Sequence, residues 1–479
     1  MHEQRVKSSA RRQIPAVGRI LDALGQRDLA PPSDLPRSVV VDLIRRKLSQ
    51  IRAASDIPEF ESIVADLRRS VDEFRASRLG PVINGTGIVI HTNFGRAPLA
   101  SEAMRALNEI GSGYSNLEYD LATGARGERG AYVEHALALL CGAEAATVVN
   151  NCAAALVLIV RHFIQLKREL DCLKQSSLHL GKSDVIISRG ELVQIGGGFR
   201  IGEILEATGA KLREVGATNK TTLEDYARAI GSETAMILKV HRSNFFMSGF
   251  VESPSSEEIG ALARKKRIVF VEDLGSGAII ATEEFGIADH EPTPAEAMKA
   301  GADLVCFSGD KLFGGPQAGI IVGKKRFVTA LKREPLFRAL RCDKLCLAAL
   351  QATVDLHLDQ RTAGIPALAL LQISEDELHA RAAAICSRLQ GLPLKIAIGC
   401  GGAKAGGGTL PKSSMRSVTI DIVPQTSSLT DFAATLRAWN PPVIGYIADG
   451  RFKLDLRTIF PHQDNLVVEA VRVACADKA

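Results

Sequence analysis

Apolar positions in the first 80 residues fall at helical spacing: Val17, Ile20, Leu21 and Leu24 recur every three or four residues, and the stretch from Val39 to Ile51 repeats the pattern. Two amphipathic helices are expected there. Between them, Leu29 to Pro36 (LAPPSDLP) cannot continue a helix and predicts a connection. Pro58 to Leu79 predicts a third, linking helix with its proline in the first turn, where a missing N–H is tolerated. From Pro81 the texture changes to short aliphatic runs at Ala146 to Val149, Asp184 to Ser188, Ala235 to Val240, Ile268 to Glu272, Leu304 to Phe307 and Gly319 to Val322, with helical segments between them. Ser255 and Glu258 have the spacing of a capping box opening one such helix. Alternating strands and helices predict a mostly parallel sheet covered on both faces. After about Ala348 a helical stretch leads to SVTIDI and RFKLDL, which alternate as half-exposed antiparallel strands do, while Gly399 to Gly408 (GCGGAKAGGG) reads as a flexible loop. The expected organisation is a helical domain over 1–80, a large α/β domain over 81–347 and a smaller α/β domain over 348–479.

Length and composition fit this picture. A chain of 479 residues exceeds what one core supports, and 46% hydrophobic with 24% charged residues is ordinary for a globular protein. The apolar run from Ala153 to Val160 is too short to span a bilayer, and the polar N-terminus has no apolar signal region behind it, so a cytoplasmic protein without membrane association is expected. Nine cysteines without a Cys-x-x-Cys motif predict reduced thiols, and Cys342 with Cys346, four apart and without nearby histidines, make a weak case for a metal, so none is expected. Net charge is +5, and Met1 to Ala53 holds 11 Lys and Arg against 5 Asp and Glu, so that segment carries the whole excess. A basic appendage suits a polyanionic partner or a solvated helical face; charge alone leaves both open.

One motif bears chemistry. FSGDKLFGGPQAG (Phe307 to Gly319) sets Lys311 directly after an apolar run, at the kind of strand-to-loop junction where open α/β sheets bind ligands. A lysine beside low-dielectric core gives up its proton more readily and can form a Schiff base with an aldehyde such as that of pyridoxal phosphate. That cofactor also needs an anion cradle and an acid for its ring nitrogen. TVVNNCAAALVLI (Thr147 to Ile159) runs a strand into a small-residue turn and a helix, making Asn150, Asn151, Cys152 and Ala153 candidates for the phosphate, although an asparagine pair also reads as a plain helix cap. VFVEDLGSG (Val269 to Gly277) ends a strand on Asp273, which precedes Lys311 by 38 residues, room for a helix and one more strand. Ser308 is a further phosphate donor, and Asp310 is placed to meet the amine or substrate.

INGTGIVIHTNFGRAPL, SNLEYDLATGARG, SRGELVQIGGGFRI, VEDLGSGA, FSGDKLFGGPQAGIIVGKK and FRALRCDKLCLAALQAT together resemble the bacterial L-seryl-tRNA(Sec) selenium transferases, the selenocysteine synthases, along nearly the whole chain. The resemblance implies an aspartate-aminotransferase-like (fold type I) architecture with pyridoxal 5'-phosphate covalent on Lys311. It implies anion-binding arginines at Arg96, Arg338 and Arg341 and the aspartate beside the lysine at Asp310. It also implies seryl-tRNA(Sec) and selenophosphate as substrates, elimination of the serine hydroxyl to an aminoacrylyl intermediate, addition of selenium, tRNA binding by the N-terminal domain, and a homo-oligomer, a dimer at least and a ring of five dimers in the family. Arg338 and Arg341, three apart on an expected helix, would face one pocket or, without the resemblance, solvent. Residues 161–183 are longer than the family pattern, and Cys152 stands where an asparagine is expected. Two rivals remain: a related pyridoxal phosphate lyase or ammonia-lyase acting on a small amino acid or amino sugar acid, and an RNA-binding protein built on a degenerate enzyme core.

Overall fold

The computed structural model of the chain describes residues 14–25, 35–54, 57–173 and 183–476. The predicted connection from Leu29 lies outside them as far as Asp34. The chain divides into two compact units, Met1–Pro81 and Val82–Ala479.

In the first unit the expected helices form as α1 (Val17–Ala23), α2 (Arg37–Ala53) and α3 (Phe60–Ala76). Their apolar stripes meet in a private core of Ile20, Leu21, Val40, Ile44, Leu48, Ile63, Leu67 and Val71. That leaves Arg37, Arg45, Arg46 and Arg52 exposed along α2. Pro58 precedes α3 instead of sitting in its first turn, because Glu59 is still extended at ψ 153° and caps the helix.

In the second unit, β1 (Ile88–Ile90) is followed by the strands of the main sheet: β2 (Ala145–Val149), β3 (Asp184–Ser188), β4 (Lys211–Val215), β5 (Thr234–Val240), β6 (Val269–Gly275), β7 (Leu304–Ser308) and β8 (Gly319–Gly323). Their spatial order is β2-β8-β7-β6-β5-β3-β4. All neighbours pair parallel except those of β8, which runs antiparallel to β2 and β7. Two apolar layers cover it. Leu137, Ile186, Phe270, Phe307 and Ile320 pack on one face, and Leu156, Ile159, Val185, Leu238 and Cys306 on the other. Burial on both faces explains why these strands read as continuous apolar runs. The predicted capping box is present, with Ser255 and Glu258 reciprocally bonded at the start of a helix over Ser256–Lys266.

The smaller sheet departs from expectation. Its order is β11 (Tyr446–Ala448), β12 (Arg451–Asp455), β10 (Met415–Pro424), β9 (Leu394–Gly406) and β1, so residues from before the main sheet complete it. The glycine-rich segment read as a loop is largely strand: Gly399 to Gly406 belong to β9, most of it paired antiparallel with β10. Its glycines make room for polar side chains of neighbouring strands. A Cβ on Gly399 would stand 2.7 Å from Asp421 Oδ2, and one on Gly401 2.7 Å from Asp455 Oδ2. SVTIDI and RFKLDL pair antiparallel as predicted but are buried from Ser417 to Ile422 and from Phe452 to Leu456. Their alternating polar residues satisfy one another, Ser417 donating to Asp455 at 2.6 Å and Lys453 to Asp421 at 2.8 Å. Position 347/348 falls inside a continuous helix, Lys344–Leu358. Among the described residues no helix is long and apolar enough to cross a membrane.

Candidate active site

The carboxyl ends of β2, β6 and β7 converge on a cavity of about 630 Å³ lined by Lys311, Asp310, Ser308, Asp273, Arg96, Asn151, Cys152 and Ala153. Each reaches it for a local reason. β7 ends at Ser308, and Gly309 donates back to Ala318 O at 2.9 Å, folding the next residues over the strand end. Lys311 therefore turns inward, and Ser308, Asp310 and Lys311 are each only 6% exposed. Asp273 lies near the end of neighbouring β6.

Both groups approach one empty point. A Cβ on Gly275, which adopts φ +68°, would lie 3.8 Å from Lys311 Nζ and 4.0 Å from Asp273 Oδ1. The amine and the carboxylate thus flank a space that a side chain there would fill. Burial pushes the Asp273 carboxyl above the ordinary carboxylate range, against the pull of the Lys311 ammonium. A buried acid in that state is stabilised as an anion by any cation brought beside it.

Helix α4 (Cys152–Leu173) starts at the cavity wall, its N-terminal backbone dipole suited to an anion. Asn151 accepts from Ala154 N at 2.8 Å, so its side chain is the helix cap. Asn150 is exposed and lies outside the cavity lining, its N–H donating to Leu340 O at 2.8 Å. The turn packs against Gly319 so closely that a Cβ there would meet Asn151 O at 2.1 Å. We expect Gly319→Ala to displace the turn at a cost of about 1–3 kcal/mol. A urea melt checks the stability and a phosphate-competition assay checks the cradle.

Across the cavity, Arg96 Nη1 donates to Asp310 Oδ2 at 2.7 Å. Arg96 holds φ +67°, a left-handed conformation unusual for a residue with a side chain, fixed by its N–H on His91 O and by the N–H of Ala97 on Asp310 O, both at 3.1 Å. The other Asp310 oxygen, Oδ1, is buried without a hydrogen-bond partner among the described residues.

The remaining two arginines are not brought here. Arg338 is exposed on the short helix Pro335–Leu340, and Arg341 follows in extended backbone, so the two do not share a helical face. Arg341 lines a separate cavity of about 330 Å³ with Arg126, Arg129 and Lys332, and its Nη1 lies 3.5 Å from Glu118 Oε1.

Residues 82–460 match the family model described as L-seryl-tRNA selenium transferase (SelA). The chain belongs to that family. It is 43% identical to an L-seryl-tRNA(Sec) selenium transferase of Geotalea daltonii, over 94% of this chain and 96% of the relative. It is 41% identical to one of Hyphomonas neptunium, over 96% and 98%. Among solved structures, D-glucosaminate-6-phosphate ammonia-lyase aligns with a TM-score of 0.58 over 84% of this chain and 97% of that chain, at 19% identity, a likeness of fold. The architecture is the expected aspartate-aminotransferase-like α/β fold.

The cavity fits the pyridoxal phosphate that a selenium transferase of this fold implies. An inward amine, a half-buried acid near it, and a helix start for a dianion are all present, on separate elements that converge. Two residues near this transferase cavity escaped the sequence reading. The backbone N–H of His241 donates to Asp273 O at 2.8 Å, and its ring Nδ1 lies 3.4 Å from Glu291 Oε1. Burial first, then the nearby Lys239 and Arg242 charges, push His241 down to about 4, so it is neutral near pH 7. Glu291 accepts from Leu410 N at 3.3 Å, tying the core to the segment whose Gly407 and Gly408 line the cavity. A strand-end histidine followed by Arg242 carries little signal in sequence, and Glu291 comes from a loop with no periodicity to place it.

Proposed function

We propose that the chain converts L-seryl-tRNA(Sec) to L-selenocysteinyl-tRNA(Sec), with selenophosphate as selenium donor. The observation that carries this is the shared cavity of Lys311 and Asp273 in a chain of this family. Lys311 would hold pyridoxal phosphate covalently, Asp273 its ring nitrogen, and the start of α4 with Ser308 its phosphate. When bound, the cofactor supplies an electron sink for negative charge at the substrate Cα. Lys311 Nζ, facing the substrate Cα from the cavity wall, would accept the Cα proton and later return a proton there. Asp310, held by Arg96, keeps an unpartnered acceptor oxygen that would receive the serine hydroxyl's O–H and orient that group. Arg96 itself carries a planar fork suited to a phosphate-like donor.

Arg338 and Arg341 act on the donor in a second copy of the chain under this reading. They lie outside their own chain's Lys311 cavity, and Tyr119, Leu121 and Tyr132, exposed apolar side chains in the same unit, share the lining of one surface cavity. The assembly is then at least a dimer. The basic N-terminal unit grips the tRNA through phosphates and shape. Deleting Met1 to Leu79 is expected to abolish tight tRNA binding while cofactor absorbance survives, and the intact chain's affinity is expected to fall linearly on a log–log plot against salt. Filter binding across a salt series checks both; a truncated protein binding as well as the intact one contradicts the assignment.

The reading is tested by incubating purified protein with serylated tRNA and selenophosphate. Selenocysteinyl-tRNA is expected. Action on a free amino acid or amino sugar acid, with none on the tRNA ester, would instead favour a lyase.

A further inference from the structure

Cys306 and Asp273 are register partners on adjacent parallel strands β7 and β6, so both side chains rise from one sheet face. Cys152 opens α4 over that face. Its Sγ lies 3.5 Å from Asp273 Oδ1, and Cys306 Sγ completes a triangle whose three atoms are within 4.8 Å of one another. Cys306 is fully buried, whereas Cys152 and Asp273 border the Lys311 cavity. A carboxylate and two sulfurs are thus held together by sheet register and by a helix start, with one side open.

We propose that this triangle is a soft-metal site, in which the two thiolates and the Asp273 carboxylate take a zinc-class divalent cation and leave a fourth position facing the cavity. Tetrahedral coordination with Zn–S about 2.3 Å and Zn–O about 2.0–2.2 Å sets sulfur and oxygen about 3.5 Å apart and the two sulfurs about 3.8 Å apart. The Cys152–Asp273 separation already matches. The sulfur pair needs to close by no more than about 1 Å, within reach of a side-chain rotation at Cys152. Thiolate donors select zinc and cadmium over magnesium or calcium. Two thiolates and a carboxylate around a dication leave one net negative charge, which the N-terminus of α4 favours. Binding displaces the thiol protons to solvent, and no electron changes hands.

A cation so placed occupies Asp273, so metal and cofactor exclude each other. That exclusion rests on the cofactor reading above; the metal site does not.

Cadmium is the probe, titrated into the reduced, full-length chain stripped of cofactor, with equilibrium dialysis and thiolate-to-metal charge-transfer absorbance as readouts. Wild type is expected to bind one more equivalent than Cys306→Ala and than Cys152→Ser, and the same number as Cys386→Ala, a thiol away from the triangle. Equal stoichiometry in wild type, Cys152→Ser and Cys306→Ala overturns the site. Cys152→Ser changes a half-buried position at a helix start and keeps the test valid should Cys306→Ala fold poorly. In a second arm, pyridoxal phosphate is added to the cadmium-loaded chain. Loading is expected to fall at least tenfold and to return with chelator. Full loading beside bound cadmium overturns the exclusion, whereas no loading even of the metal-free chain overturns the cofactor reading and leaves the site standing.

Discussion

Lys311→Ala is expected to yield a folded protein that loses its cofactor on desalting and makes no detectable selenocysteinyl-tRNA. Two losses combine. Under the proposed function the amine is the covalent hold on pyridoxal phosphate and the same nitrogen moves the Cα proton, a role worth roughly 10²–10⁴-fold in rate on its own. The fold is expected to survive, because Lys311 faces a cavity and its truncation enlarges that cavity without opening a core. Visible absorbance after gel filtration, circular dichroism and turnover measured together separate these effects. A variant that kept its cofactor absorbance and more than a tenth of wild-type turnover would show that another residue performs the chemistry.

Asp273→Asn is the second large effect. The amide is nearly isosteric, so packing against Cys152 and Cys306 is kept and only the charge is lost. Burial raises the Asp273 carboxyl and makes its anionic form costly, a cost that a protonated ring nitrogen would offset under the proposed function. A hydrogen bond to a charged group contributes about 1.5–3 kcal/mol, so cofactor affinity is expected to fall roughly 10- to 150-fold. Turnover at saturating cofactor falls further, since a neutral amide cannot keep the ring nitrogen protonated and the electron sink weakens. Titration of the stripped chain with pyridoxal phosphate gives the first number, and turnover at saturation the second. Unchanged values of both would remove Asp273 from the site.

Much of this was legible in the sequence because a buried parallel strand leaves a run of aliphatic residues that little else imitates. Leu304 to Phe307 and Ile268 to Val271 are such runs, and Lys311 and Asp273 follow them within four residues. The edge strand Lys211–Val215 was missed for the opposite reason: exposed on most of its length, it reads KLREV and shows no apolar run. The glycine-rich segment misled because glycine signals a turn in sequence, whereas in β9 it marks the space that Asp421 and Asp455 occupy. Partner strands supply that reason, and they lie far along the chain. Arg338 and Arg341 were placed together by helical spacing, but the helix stops at Leu340 and turns them apart. Cys306 was readable in principle. Two residues before Ser308 on the same strand, it shares that residue's face by simple alternation, and only the packing of α4 brings Cys152 to it.

The most direct measurement is borohydride reduction of the cofactor-loaded protein followed by peptide mass spectrometry. A pyridoxyl phosphate adduct on the peptide bearing Lys311, absent from Asp273→Asn loaded at the same cofactor concentration below its weakened affinity, is the predicted result. An adduct on a different lysine, or none on a protein that still converts seryl-tRNA, would contradict the account.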